Sequence, residues 1–137
     1  MAVKNIFDVA SNAMSAQLTR LNTIASNMAN ADAVSATREG AFRPLRPVFE
    51  TIYSDQVGHD GLSSARVLDV VSLDREPIKC FRPDHPLAGE EGYVYASTVN
   101  TDEEMVEMLE ASRQYQNVLE TVSTLRTLMA RTVKMGQ

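Results

Sequence analysis

Both ends of the chain carry apolar stripes at helical spacing, and the segment between them does not. Near the N-terminus apolar residues fall at Ile6, Phe7, Ala10, Met14, Leu18, Leu21, Ile24, Ala25 and Met28. Near the C-terminus they fall at Met105, Met108, Leu109, Tyr115, Leu119, Val122, Leu125, Met129 and Val133. Steps of three and four put each series along one side of a helix, at a spacing that suits a coiled-coil seam. Stripes at opposite ends of a chain can cover each other only if the ends meet in space. The middle must then leave and return as an excursion, a layout that favours assembly over catalysis. The expected architecture is α+β. Residues 1–32 plus 100–137 form a helical assembly domain paired as a coiled-coil-like stem, and residues 33–99 form a small β-rich middle domain. The expected interface residues are Phe7, Met14, Leu18, Leu21, Ile24 and Met28 on the first helix. On the second they are Met105, Met108, Tyr115, Leu119, Val122 and Met129.

Local signals set the boundaries. The first helix is expected from about Ile6 to Met28, with Asn5 as its N-cap and Asp8 as an acid in its first turn. Ser11, Asn12, Ser15, Thr19, Asn22, Thr23, Ser26 and Asn27 are mediocre helix formers, so packing rather than propensity must hold this segment. From Asn30 to Gly40 the pattern dissolves into a loop. An extended stretch follows from Pro44 and Pro47 through Tyr53, then a turn or flexible tip at Gly58-His59-Asp60-Gly61. Strands are expected over Ala65–Leu73, Pro77–Phe81 and Gly92–Tyr95. In the last helix Thr101 and Glu104 read as a capping box, Asp102, Glu103 and Glu104 load the first turn, and Gly136 marks the stop. Such a helix is about 50 Å long and needs partners.

Chemistry-bearing residues are sparse. His59 and His85 sit in turn-like segments without a second ligand at metal spacing, and Asp84-His85-Pro86 reads as a rigid turn between prolines. Cys80 is the only cysteine, which excludes an internal disulfide, and it reads as an inert strand residue. No phosphate loop, nucleophile elbow or paired cysteine motif is present. A small hydrolase would rest on nothing beyond the presence of Ser, His and Asp. A net charge of −5 with scattered basic residues argues against nucleic acid and acidic membrane surfaces as partners. No catalytic site, metal, cofactor or small-molecule substrate is expected. No apolar run reaches the roughly 20 residues that cross a bilayer, and Asn5, Asp8, Ser11 and Asn12 interrupt any cleaved signal.

Several strings have a familiar form. Ala25-Ser26-Asn27-Met28-Ala29-Asn30 resembles the signature that ends the N-terminal helix in bacterial flagellar axial proteins, the rod and hook family. Pro83-Asp84-His85-Pro86-Leu87-Ala88, Gly92-Tyr93-Val94 and Val99-Asn100 look like the middle of its proximal-rod branch. Ala111-Ser112-Arg113-Gln114-Tyr115-Gln116 and the terminal Met135-Gly136-Gln137 are similar to the same branch. The motif residues carried over are Ser26, Asn27, Ala29, Asn30, Ser112, Arg113, Tyr115 and Gln116. Where the family usually reads Tyr-Gln-Ala-Asn, this chain has Asn117 and Val118 after Gln116, which moves the asparagine about 100° around the helix. The resemblance implies a structural subunit of the basal body, exported by the flagellar type III apparatus without a cleaved signal and polymerised in the periplasm. Its implied partners are copies of itself, other rod proteins, and membrane-ring and export-gate components at the rod base. The alternative is a cytosolic helical adapter or export chaperone dimerising through its amphipathic ends.

Two expectations follow from the first helix. In the monomer, residues 1–30 and 100–137 should be frayed and become helical on assembly. Its small polar face should also pack against neighbours. Ser15→Ala should then preserve swimming, while Ser15→Arg and Ser15→Trp should block polymerisation because tight interfaces do not absorb that volume. Normal swimming by the Trp variant would place this face in solvent.

Overall fold

The computed structural model describes residues 2–53 and 63–136. Helix α1 spans Ala2–Ala29 and helix α2 spans Thr101–Met135. Helix α1 begins ahead of the expected cap, so Asn5 lies inside it and Asp8 falls beyond its first turn, which holds no acid. Two of its weak helix formers are satisfied locally. The Thr19 and Thr23 hydroxyls donate to the carbonyls of Ser15 and Thr19, at 3.1 and 2.7 Å. The helix closes where the Asn30 N–H and side-chain amide both reach the Ser26 carbonyl, the latter at 2.8 Å.

Helix α2 is capped one residue earlier than expected. The Asn100 Oδ1 accepts from the N–H groups of Asp102 and Glu103, at 3.0 and 3.3 Å. Thr101 is therefore already helical, and Glu104 turns into the protein instead of back to the cap. At the other end the Gly136 N–H bonds to the Thr132 and Val133 carbonyls, closing the helix where the glycine predicted.

The two helices run antiparallel. Asn27 near the end of α1 meets Glu104 near the start of α2, and Arg20 meets Glu107. Toward the opposite end Ile6 and Phe7 face Leu125, Met129 and Val133. Ala10, Ala16 and Ala111 are buried, small residues that let elements approach closely.

Among the described residues the excursion between the helices contains five strands in two sheets. Strand β1 is Val34–Ser35, β2 Leu45–Tyr53, β3 Ser63–Ser72, β4 Ile78–Phe81 and β5 Tyr93–Ala96. Strands β2 and β3 form an antiparallel hairpin against α1, where the Asn12 amide donates to Ser64 Oγ at 3.3 Å. Its register shifts between Val48 and Phe49, opposite Asp69 and Val67, so Leu68 is an extra residue left exposed. The second sheet has the order β1-β5-β4, all antiparallel. Strand β1 comes from the stretch read as loop; two residues are too few for a period-2 signal. Its pairing of Val34 with Ala96 and Ser35 with Tyr95 ties the exit of α1 to the approach of α2. The turn between β4 and β5 requires Gly92, whose φ of 74° and contact with Phe81 and Pro83 leave no room for a Cβ. The turn expected at residues 58–61 lies outside the described residues.

The core sits where the last turns of α1, the first turns of α2 and the two sheets converge, around Ile24, Asn27, Pro44, Val94, Glu104 and Ala111. Of the expected interface residues, Ile24 is buried and Phe7, Met14, Leu21, Met28, Met108, Tyr115 and Val122 are half-buried. Leu18, Met105, Leu119 and Met129 are exposed in the single chain. Met105 faces outward for a geometric reason: it follows buried Glu104 by one residue, or about 100° of helix. This packing divides the fraying expected at the two ends. In the monomer, amides of residues 20–29 and 101–115 should exchange more slowly than those of 119–135 by more than about tenfold. Uniform exchange along α2 would refute that gradient.

Candidate assembly interface and its polar anchor

The fully buried Asn27 is the centre of the site. Its Oδ1 accepts from the Leu45 N–H at 2.8 Å, and its Nδ2 donates to the Leu45 carbonyl at 2.9 Å. The amide thus acts on the first residue of β2 as a neighbouring strand would, which leaves no unpaired backbone group at this point. The same Nδ2 donates to Glu104 Oε2 at 3.0 Å, so one side chain joins α1, β2 and α2.

Glu104 is buried as a charge and is matched by a charge. Arg46 Nη2 donates to its Oε1 at 2.6 Å and Arg46 Nη1 to its Oε2 at 3.0 Å, a two-pronged pairing. Such a pair costs desolvation to form, and removing one partner leaves the other charge buried and alone. The Glu104 hydrogen bond is the main reason the Arg46 guanidinium is held still more firmly protonated. Arg46 also reaches Glu103 at 3.4 Å, and Arg75 grips Glu103 with both arms at 2.9 and 3.0 Å. Those Arg75 hydrogen bonds hold the Glu103 carboxyl below the usual carboxylate range. One turn along α2, Glu107 takes Arg20 of α1 at 2.5 Å.

The motif residues separate by role. Asn27 builds the anchor, Ser26 and Asn30 close α1, and Ala29 is exposed. On α2, Ser112 and Tyr115 are half-buried, while Arg113 and Gln116 face solvent. Asn117 is exposed, with its carbonyl accepting from the Thr121 hydroxyl at 2.9 Å. Arg46 and Arg75 were not foreseen, and Glu104 was assigned to the cap. The one local signal was an arginine set among the apolar residues Pro44, Leu45, Pro47, Val48 and Phe49.

The groups considered for chemistry stand apart from this network. His85 Nδ1 accepts from the Leu87 N–H at 3.1 Å, and its carbonyl accepts from the Ala88 N–H, which makes 82–88 the rigid turn expected. His59 lies outside the described residues. Cys80 is half-buried on β4 opposite Val94. Among the described residues no three His, Cys, Asp or Glu side chains gather as metal ligands. No described helix is long and apolar enough to cross a membrane.

Beyond the anchor, α2 presents apolar residues to solvent. Leu119 is 48% exposed and Val133 65%. Between the first turns of α1 and the last turns of α2 lies an open apolar groove of about 290 Å3, lined by Ile6, Phe7, Leu125, Leu128, Met129, Thr132 and Val133.

Two predictions follow from the anchor. Asn27→Ala strands the Leu45 N–H and carbonyl and one Glu104 contact, and should lower stability by roughly 2–4 kcal/mol in denaturant titration. A loss below about 0.5 kcal/mol, the level of an ordinary surface change, would refute the role of this amide. The second concerns acid. The Glu103 carboxyl titrates lower in the fold than in the open chain, so its contribution is present above the ordinary carboxylate range near pH 4 and fades as pH falls through the folded value. Glu103→Gln should therefore flatten stability against pH between about 5 and 3. An unchanged slope there would contradict this linkage.

Comparison with known proteins places the two helical members of the anchor, Asn27 and Glu104, inside matched segments, with Arg46 and Arg75 in the stretch between them. Residues 7–36, which contain Asn27, match the family model described as flagella basal body rod protein. Residues 90–135, which contain Glu104, match that of the flagellar basal body rod FlgEFG protein C-terminal region. The chain is 39% identical over 137 residues to the flagellar basal-body rod protein FlgC of Yersinia enterocolitica, covering all of both chains. It is 36% identical to that of Salmonella typhimurium and 31% identical to that of Buchnera aphidicola subsp. Schizaphis graminum, again over the full length of each chain. With identity sustained from end to end, the chain belongs to the FlgC family of flagellar basal-body rod proteins, which are structural components and not enzymes.

Proposed function

We propose that this structural rod subunit builds the proximal rod, polymerising through its terminal helices as part of the shaft between the membrane-embedded base and the distal rod and hook. Family membership gives the coarser statement: a basal-body location and assembly with other rod and flagellar components. The single observation that supports the finer reading is the apolar surface left open on α2, from Leu119 to Val133, in a chain whose relatives are rod proteins. Exposed apolar surface of this extent favours contact with neighbouring subunits. In this reading the helical ends form the assembly domain, paired as a coiled-coil-like stem, and residues 33–99 form the outer domain. Contacts to neighbours come from Phe7, Met14, Leu18, Leu21 and Met28, and from Met105, Met108, Tyr115, Leu119, Val122 and Met129, whereas Ile24, expected with them, is buried within the chain and packs its own core. Neighbours are other copies, other rod proteins, and ring and export-gate components at the base. The subunit reaches the periplasm through the flagellar export apparatus without cleavage of a signal.

The adapter or chaperone alternative is not favoured, since the relatives are named as rod proteins over the whole chain. Sizing separates the two, because an adapter should be a stable helical dimer and a rod subunit a monomer before assembly. Leu119→Asp provides the sharper test. Leu119 is exposed in the single chain, so a carboxylate there should change monomer stability by no more than about 0.5 kcal/mol. Buried between subunits, the same carboxylate would cost several kcal/mol. Cells carrying Leu119→Asp should secrete the subunit but build no rod, and Leu21→Asp should act likewise. Normal swimming by the Leu119 variant would remove this residue from the interface.

A further inference from the structure

The edge of a sheet is a row of backbone N–H and C=O groups without a neighbour, and folded chains ordinarily blunt such rows. The β2–β3 hairpin does so on both sides. The Leu73 N–H donates to the Pro44 carbonyl at 2.8 Å, and bonded pairs alternate from there, so Leu45 and Pro47 turn their backbone groups away from β3. The Asn27 amide takes both groups of Leu45, and Pro47 has no N–H to offer. On the opposite side Val70 faces outward, and its N–H donates to Asp69 Oδ1 at 2.7 Å. The extra Leu68 then interrupts the ladder.

The outer edge of β4 carries no such device among the described residues. The Arg82 N–H donates to the Gly92 carbonyl at 2.9 Å, which makes Ile78, Cys80 and Arg82 the residues bonded to β5. The N–H and C=O groups of Lys79 and Phe81 therefore point outward. The far side of β5 fits the same alternation, since the Ser97 N–H donates to the Ala33 carbonyl and Tyr95 faces β1. Lysine commonly guards an edge, but Lys79 is folded back over β5. Its Nζ lies 4.2 Å from the centre of the Tyr93 ring and 3.6 Å from a Glu91 carboxylate oxygen. Strand β4 is also uncovered on both faces. Phe81, 64% exposed, shares the outer face with Tyr93, while Ile78, 61% exposed, shares the inner face with buried Val94. A helix or loop laid on one face would cover only one of these side chains. An added strand covers both and pairs the backbone as well.

We propose that β4 receives an extended segment of another basal-body protein, which adds a fourth strand to the β1-β5-β4 sheet. The chemistry of the edge describes the occupant. The charged residues from Ile78 to Arg82 are Lys79 and Arg82, both basic, and Arg82 forms no ion pair among the described residues. A complementary segment carries apolar residues on both faces, against Ile78 and Phe81, and at least one acid. A second copy of this chain supplies no such strand. The outer edges of its hairpin are blocked, its β1 is two residues long, and β4 against β4 sets basic side chains together. The site is separate from the terminal-helix contacts proposed above and does not depend on them.

Amide exchange on the unmodified chain, compared between purified monomer and isolated basal bodies, tests the pairing. The amides of Lys79 and Phe81 should exchange freely in the monomer and slow by more than about tenfold in basal bodies. Unchanged exchange at both positions overturns the proposal. Lys79→Pro tests the backbone contribution. Position 79, like Pro47, gives its own sheet no N–H, so the melting temperature should stay within about 4 °C while swimming is lost. Lys79→Ala keeps the N–H and should swim. Normal swimming by a folded Lys79→Pro chain overturns the proposal, as does loss of swimming in both variants, which would assign the effect to the charge. If Lys79→Pro melts lower, the exchange result on the unmodified chain decides. The partner is read by placing benzoylphenylalanine at position 81 and illuminating assembled basal bodies. The expected link is to an extended, acid-bearing segment of a different basal-body protein, weakened several-fold by Arg82→Glu. A link to another copy of this chain, a link to a partner helix, or no link at all overturns the docking.

Discussion

Glu104 is a carboxylate with no exposed surface, and the rest of the fold is arranged to make that tolerable. An isolated buried charge costs many kcal/mol, so its partners must arrive together. They come from distant parts of the sequence: Asn27 from the end of α1 and Arg46 from the start of strand β2. The antiparallel approach of the helices, the departure angle of the chain after α1 and the seating of the β2–β3 hairpin are therefore joined in one polar network. A hydrophobic contact at the same place would hold the elements together with less definition, because apolar packing tolerates rotation and sliding. Hydrogen bonds with fixed donors and acceptors do not.

The network also explains the division of labour along the helices. Near the anchor, ion pairs between Arg20 and Glu107, and between Arg75 and Glu103, extend the polar joint, and small residues such as Ala111 fill the space beside it. Away from it, α2 carries leucine, methionine and valine that its own chain covers only partly. One end of the helical hairpin is thus completed within the molecule, and the other keeps apolar side chains uncovered.

Much of this was legible in the amino-acid order. Stripes with steps of three and four marked both helices, and the extended stretch from Pro44 and Pro47 through Tyr53 with the runs at Ala65–Leu73, Pro77–Phe81 and Gly92–Tyr95 marked four of the five described strands. What escaped has physical causes. Strand β1 is two residues long and gains its identity only from pairing with β5. The cap moved to Asn100 because Glu104, which a capping box would have used, is worth more to Arg46 and Asn27 than to a backbone N–H. Local rules compare a residue with its neighbours in sequence, and the partners of Glu104 lie 58 and 77 positions away. Asn27 was singled out by resemblance alone, since nothing in its surroundings announced that its amide would meet Leu45.

In the proposed reading, the subunit remains a single chain until it reaches its place and then joins its neighbours. The distribution of polar and apolar joints meets both requirements. The anchor is satisfied within one molecule, so it offers little to a stranger and can persist before assembly. The distal stem has the opposite character: its weak helix formers and uncovered side chains make isolated helix expensive, and each neighbour that covers them repays part of that cost. If helix formation is coupled to contact in this way, addition at an existing end is favoured over pairing in solution, where only one surface would be covered and two stems would have to order. In the proposed reading, such a subunit resists premature association without any separate inhibitory element, because the surface assigned to binding is also the one its own chain covers least.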